Sequence, residues 1–417
     1  MRVAVVGLGK IGLPLAVQYA SRGLEVTGCD IDEAKVARIN AGDCPIAGEA
    51  GLEEGLSAAV KAGRLRATSG TAAAVAESDV AVIIVPVGLT AANAPDYAHL
   101  GAATAEIGRG LRNGTLVVVE STVPVGTTRG RVGLALSKGG RRVLLAASPE
   151  RVSSGRIFQD LRTYPKLVGA IDDESWAKAE AFYSKALEAP CLMRLSDPET
   201  AEFAKLAEGV YRDANIALAG ELARYADALG IDVSEAIGAA NSQPYSHLHQ
   251  PGAGVGGHCL PVYPHFLPPD VRLRIPALAR EINDSMAAYA VERLEAALGT
   301  LSGATVLVLG LAYRADVKEA AHSSALLIDR ALRERGARSL VHDPLFSADE
   351  TRALGLEPAG ELFASPVDAV IVQAWHQSYR EIDWRLFRGC RAVLDGRNVL
   401  DRAAVEAAGM RYLGIGR

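Results

Sequence analysis

The sequence predicts an α/β protein built from two doubly wound parallel-sheet domains joined by a long central helix. Three observations predict it. Apolar runs of strand length alternate with helical patterns over residues 1–195, a helical stretch follows over 196–300, and the strand–helix alternation restarts over 301–417. At 417 residues the chain is also too long for one core, so two or three domains are expected.

In the first part, VAVVGL (3–8), LEVTGCD (24–30), DVAVIIVPV (79–87), TLVVVE (115–120) and RVLLAAS (142–148) read as buried parallel strands, with KLVGA (166–170) and PCLMRL (190–195) continuing the series. They are β-branched and apolar on both faces, as strands are when helices cover both sides of a sheet. Ser196-Asp197-Pro198-Glu199 then has capping-box spacing with proline in the first turn. Phe203, Leu206, Val210, Ala214, Leu218, Leu222 and Tyr225 follow with a helical period to about Gly230. A helix this long reads as a spine and a dimer surface. A second helix is expected at about 276–298. ATVLVLGLAY (304–313), SLVHDP (339–344), DAVIVQAW (368–375) and AVLDGRN (392–398) are the strands of a second, Rossmann-like domain.

Hydrophobic residues make up 49% and charged residues 22%, the balance of an ordinary globular protein. The net charge is −5 and no long basic run occurs, which argues against nucleic acid or an anionic membrane as partner. Five cysteines (Cys29, Cys44, Cys191, Cys259 and Cys390) at low density, with no Cys-x-x-Cys, argue against a disulfide framework or metal site and for a reducing cytoplasm. The apolar start is broken by Lys10 and by glycines, so a strand and turn are expected there rather than a secretory signal.

Gly7-Leu8-Gly9-Lys10-Ile11-Gly12 directly follows the first strand and opens a helix. The first glycine permits a tight turn, the second lets backbone approach a pyrophosphate, and the third lets the helix pack on the strand. The helix N-terminus then offers N–H groups to phosphate. Asp30 ends the next strand, where a carboxylate accepts from a ribose 2′-hydroxyl and repels a 2′-phosphate. The expected cofactor is NAD. A second glycine cluster, Gly252, Gly254, Gly256 and Gly257, leads to His258 and Cys259. It reads as a flexible loop that closes backbone around a ligand and presents a thiol. His258 is a base or simply a loop residue.

With these motifs the chain resembles the UDP-glucose/GDP-mannose dehydrogenase family, the NAD-dependent nucleotide-sugar 6-dehydrogenases. GAGVGGHCLP (252–261), ESTVPVGTT (120–128), SPERV (148–152), KLVGA (166–170), GLAYRADV (310–317), DGRN (395–398) and YLGIGR (412–417) match it in order. The form of the cysteine loop is nearest the UDP-N-acetylhexosamine branch. The resemblance implies oxidation of a C6 alcohol to a carboxylate in two hydride transfers, through a thiohemiacetal and a thioester on Cys259. It gives Lys205 the developing oxyanion, Glu150 the proton transfers or hydrolytic water, and Thr122 the positioning of that water. It gives Lys35 and Val87 to the cofactor, and Arg151, Val152, Gly254, Gly256, Gly257, His258 and Arg314 to the nucleotide sugar. It also implies a homodimer. Lys205 read alone is a solvated helix face.

The chain departs from the family at several substrate positions. Gly209 stands for an asparagine one turn after Lys205, Tyr263 for an aspartate four residues after Cys259, Tyr245 for a partner-subunit arginine, and Ala321 for another arginine, followed by His322. Pro86-Val87-Gly88 replaces Pro-Thr-Pro. A glycine inside a helix costs about 1 kcal/mol relative to alanine, so the space at Gly209 is expected to be needed. These departures leave open a single oxidation or a redox-neutral reaction on another nucleotide or nucleoside, and a non-catalytic nucleotide-binding protein.

Overall fold

In the computed structural model, which describes residues 1–188, 191–268, 270–271 and 273–417, the apolar runs of the first part become one sheet. Its strands are β1 (Arg2–Val6), β2 (Glu25–Cys29), β3 (Leu65–Thr68), β4 (Val80–Ile83), β7 (Leu116–Val119), β8 (Leu144–Ala147), β9 (Lys166–Ala170) and β10 (Leu192–Leu195), with β5 (Gly88–Leu89) and β6 (Pro95–Asp96) forming a separate two-residue hairpin. The sheet order is β10-β9-β8-β7-β4-β1-β2-β3. Strands β4, β7 and β8 are buried at every position. Separate apolar clusters pack on the two faces, one holding Val3, Val5 and Val118, the other Ala4, Val117 and Val119. The alternation arises because successive side chains of a strand point to opposite faces.

Two features differ from the expected all-parallel series. The pairs from β3 through to β8 run parallel, but β9 lies antiparallel to β8, pairing Ala146 with Ala170 and Ala147 with Gly169. The edge strand β3 was not predicted. Its burial alternates, with Arg66 exposed between Leu65 and Ala67, so its run of apolar residues is too short to stand out. Of the expected strand 190–195, Pro190 lies outside the described residues.

The long helix spans Pro198–Leu229. Its cap is Asp197, which accepts from the Thr200 N–H at 2.7 Å, rather than Ser196, whose hydroxyl contacts the Thr200 hydroxyl at 3.0 Å. The periodic set on this helix divides. Leu206 is buried, whereas Phe203, Leu218 and Tyr225 are exposed.

The chain forms two compact units, one of Met1–Glu208 with His265–Asp270, the other of Gly209–Pro264 with Val271–Arg417. The second contains the helix Arg274–Leu298 and an all-parallel sheet of β11 (Thr305–Leu309), β12 (Arg338–His342), β13 (Ala369–Val372), β14 (Ala392–Asp395) and β15 (Arg411–Gly414), ordered β12-β11-β13-β14-β15. Strand β15 lies in the closing motif YLGIGR (412–417) and extends one residue ahead of it. After β11 comes Gly310, at φ +100°, and after β12 comes Asp343, repeating the plan of Gly7 and Asp30. Asp343 is buried, and its Oδ2 accepts from the N–H groups of Leu311 and Ala312 and lies 3.0 Å from His376 Nε2. Among the described residues no helix is long and apolar enough to cross a membrane.

Candidate active site

At Gly7 (φ +102°) a Cβ would stand 2.5 Å from the Ile84 carbonyl oxygen, and at Gly12 one would stand 1.9 Å from the Gly7 carbonyl oxygen. No side chain fits either place. A Cβ at Gly9 would meet nothing within 4 Å, so its backbone borders open space. The helix Gly12–Ser21 starts at Ile11 with no side-chain cap; the Leu13 N–H donates to the Gly9 carbonyl at 3.1 Å and Pro14 has none, so what this end offers an anion is chiefly the positive end of the helix dipole. Asp30 Oδ2 accepts from the Leu8 N–H and from Lys35 Nζ, each at 3.0 Å, and Oδ1 from the Asp32 N–H at 3.0 Å. Burial opposes its ionisation, but the donors Asp32, Lys35 and Leu8 hold the carboxyl below the usual range. A carboxylate offers about four acceptor positions, so one remains for a ligand hydroxyl.

Glu120 follows β7 and Glu150 lies three residues after β8, both at the carboxyl edge of the sheet. Lys166 Nζ is 2.9 Å from Glu150 Oε2 and 3.3 Å from Glu120 Oε2. Glu120 Oε1 accepts from the hydroxyls of Tyr19 and Tyr183. Burial pushes the Glu120 carboxyl up, and the Lys166 ammonium opposes that rise. Arg151 Nε reaches Glu208 at 3.0 Å and its Nη1 the Pro165 carbonyl at 3.3 Å. Val87 and Val152 are half-buried and pack against the apolar clusters. Thr122 and Lys205 are half-buried. On the helix of Lys205, Glu202 accepts from the N–H groups of Gly126 and Thr128, at 2.6 and 2.7 Å. This fastens the segment just after Thr122.

In the second unit the cysteine loop is clamped, which corrects the expectation of a flexible loop. Ala253 N–H donates to the Gly396 carbonyl at 2.9 Å and Gly257 N–H to the Ala321 carbonyl at 2.8 Å. A Cβ at Gly254 would stand 2.9 Å from Ser324 Cβ, one at Gly256 2.7 Å from the His322 carbonyl oxygen, and one at Gly257 3.0 Å from the Tyr313 ring. The glycines serve close packing, not freedom. Cys259 and His258 at the end of the loop are exposed, and His258 Nε2 lies 2.8 Å from Glu319 Oε2. Gly209 faces Tyr263, whose Cδ2 would be 3.0 Å from an added Cβ. Tyr245 is 93% exposed and so lies apart from the loop's packing.

A cavity of ≈ 740 Å³ opens in the second unit, lined by Arg314, Trp375, Arg380, Trp384, Arg397 and Asp401 among others. The Arg397 guanidinium donates to the carbonyls of Gln373 and Gly254, at 2.5 and 3.0 Å, and to Ser324 Oγ at 3.1 Å, tying the cysteine loop to this cavity's wall. Burial pulls it down to about 10, which leaves it charged at neutral pH.

Models of the UDP-glucose/GDP-mannose dehydrogenase family match three stretches: its NAD binding domain residues 1–187, its central domain 199–285, and its UDP binding domain 307–402. The chain belongs to this family. It is 33% identical to UDP-N-acetyl-D-mannosamine dehydrogenase of Pyrococcus horikoshii, over 100% of this chain and 99% of that one. It is 32% identical to NDP-N-acetyl-D-galactosaminuronic acid dehydrogenase of Ralstonia nicotianae, over 97% of each. The solved P. horikoshii UDP-D-ManNAc dehydrogenase superposes with a TM-score of 0.91 at 32% identity, covering 100% of this chain and 99% of that one.

As a member of the family the chain is an NAD-dependent oxidoreductase. The open backbone at Gly9, the uncapped helix start and the acceptor left on Asp30 fit a dinucleotide. The first unit brings Gly7, Gly12 and Asp30 to one edge of its sheet, and Glu150 follows β8 at that edge. The second gathers Gly254, Gly256, Gly257, His258 and Cys259. Sequence reasoning gave no role to Glu120, Lys166, Glu319 or Arg397. For Lys166 a signal was present: a charged residue opening an otherwise apolar strand whose five residues are all buried.

Proposed function

We propose that the chain oxidises the C6 alcohol of a UDP-N-acetylhexosamine to the carboxylate. The observation that carries this reading is an exposed Cys259 thiol on a backbone-clamped loop. NAD, held by Gly7, Gly9, Lys10, Ile11, Gly12, Asp30, Lys35, Val87, Thr122 and Glu150, supplies the acceptor for one hydride at each of two oxidations. Cys259 adds through sulfur to the C6 aldehyde, and the hydroxyl of that adduct loses its proton as the second hydride leaves, giving an acyl ester on sulfur. Lys205 stabilises the negative oxygen, and Glu150 takes a proton from the water that attacks the acyl carbon while Thr122 positions that water. The Cys259 sulfur departs and is reprotonated. Arg151, Val152, Gly209, Tyr245, Gly254, Gly256, Gly257, His258, Tyr263 and Arg314 bind the nucleotide sugar, with residues 301–417 as its main platform, 1–195 as the NAD domain and 196–300 carrying the dimer surface and cysteine loop. Exposed Tyr211, Leu218, Tyr225 and Leu229 on the long helix support a homodimer, and the low cysteine density without Cys-x-x-Cys a cytoplasmic enzyme.

A second reading stops after one oxidation or returns the hydride. It is favoured by the Tyr263 ring over Gly209, which fills with apolar surface a place where water would need polar partners. Counting NADH per UDP-N-acetyl-D-mannosamine or UDP-N-acetyl-D-galactosamine consumed separates the two. Two equivalents, with a Cys259 adduct by intact-protein mass spectrometry that Cys259→Ser abolishes, support the first. One equivalent or none, with no adduct, supports the second.

A further inference from the structure

Among the buried charges of the first unit, Lys166 has no assigned task, yet its placement follows from the reversal in the sheet. Strands β7 and β8 run toward the carboxyl edge, so Glu120 and Glu150 emerge there. Strand β9 runs the opposite way, so its first residue, Lys166, begins at that same edge. The side chain is 5% exposed, against 0% for Glu120 and 9% for Glu150. Burial alone would drive the ammonium toward its neutral form, but Glu120 and Glu150 outweigh burial and raise it. Glu120 is itself held by the hydroxyls of Tyr19 and Tyr183, which come from two different helices.

A buried charge cluster of this kind is often no more stabilising than a well-packed apolar core of the same volume. A lysine rooted in a sheet and gripped from behind gives Glu150 Oε2 a fixed partner at 2.9 Å. A cavity of ≈ 10 Å³ beside Glu150 and Lys166 is at the lower limit for one water and too small to admit a sugar. We propose that Lys166 is a positioning residue: it fixes the Glu150 carboxylate for proton transfer, and Glu120 with its two tyrosines fixes Lys166. The proposal rests on the reading of Glu150 as the group that moves the proton. A carboxylate that must meet a water in one orientation gains from such a partner, because catalytic groups need placement to within about 0.5 Å.

The test uses the full chain with NAD and UDP-N-acetyl-D-mannosamine, on Lys166→Met, Lys166→Arg, Glu150→Gln and the double variant Glu120→Gln/Lys166→Met. The double variant removes both buried charges together, so it keeps the fold if Lys166→Met alone leaves too much unpaired charge. Expected are a loss in kcat of about 100-fold in Lys166→Met and in the double variant, with KM changed less than about 3-fold, and partial rescue by Lys166→Arg. A crystal structure of the double variant should show the Glu150 carboxylate displaced. A folded, NAD-binding Lys166→Met enzyme with parental kcat, or a Glu150 carboxylate unmoved in the double variant, overturns the proposal while Glu150→Gln remains inactive. A fully active Glu150→Gln overturns the role of Glu150 first, and the proposal with it.

Discussion

The contact between Gly209 and Tyr263 makes a quantitative prediction about stability. Glycine inside a helix costs about 1 kcal/mol relative to alanine, so Gly209→Ala should stabilise the chain by that amount if nothing stood in the way. Tyr263 stands in the way, with its Cδ2 at 3.0 Å from the new methyl carbon. That is about 0.5 Å inside normal carbon–carbon contact, and overpacking of this kind costs about 1–3 kcal/mol. In the parent background Gly209→Ala should therefore be neutral to destabilising by about 2 kcal/mol. In a Tyr263→Ala background the obstruction is gone, and the same change should stabilise by about 1 kcal/mol, raising Tm by about 2–4 °C. Urea unfolding of the four proteins gives the coupling directly, expected at about 1–3 kcal/mol. Equal stabilisation in both backgrounds, with coupling under about 0.5 kcal/mol, would refute the idea that the helix carries glycine to admit the ring.

Gly12→Ala places a methyl carbon 1.9 Å from the Gly7 carbonyl oxygen, a backbone clash that no rotamer relieves, so NAD affinity should fall more than about 100-fold by calorimetry; retained affinity would contradict the role of this glycine. Asp30→Asn removes a charged acceptor and its tie to Lys35, and should weaken NAD about 10–100-fold while narrowing its preference over NADP, as measured by titration with each. Asp343 is buried, which disfavours its ionisation, yet hydrogen bonds from His376 and from the Ala312 N–H hold its carboxyl below the usual range. A lowered carboxyl stabilises the fold above its unfolded value of about 3.9, and this contribution fades as pH falls through the lower folded value. Asp343→Asn should thus be less stable at pH 7 but lose less on acidification below about pH 4, and parallel acid-unfolding curves for the two proteins would count against this assignment.

The parts of this protein legible in its sequence are those where one physical demand acts alone. The central strands of both sheets stood out because burial on two faces demands unbroken apolar runs, as in β4 and β13. The fingerprint glycines stood out because steric demand excludes any other residue at Gly7 and Gly12. What stayed hidden depends on juxtaposition. Strand β3 alternates as an edge strand and is only four residues long. The direction of β9 is not encoded in KLVGA, since an apolar strand reads the same either way. For that reason Lys166 could not be placed beside Glu120 and Glu150, from which it lies 46 and 16 residues away in the chain. The glycines before Cys259 suggested mobility, whereas the surfaces that press on them come from Ser324, His322 and Tyr313, more than fifty residues later.

The second unit carries its own copy of a nucleotide-binding plan, in which Asp343 stands where the first has Asp30. Asp30 accepts from three donors and its side chain is 10% exposed, whereas Asp343 accepts from four, the Leu311, Ala312 and Leu345 N–H groups and the His376 imidazole, and is sealed from solvent. A ribose arriving there would find no oxygen to greet it. The two halves thus share a plan but differ in how fully the equivalent carboxylate is occupied, the first lying in the family's NAD binding domain and the second in its UDP binding domain.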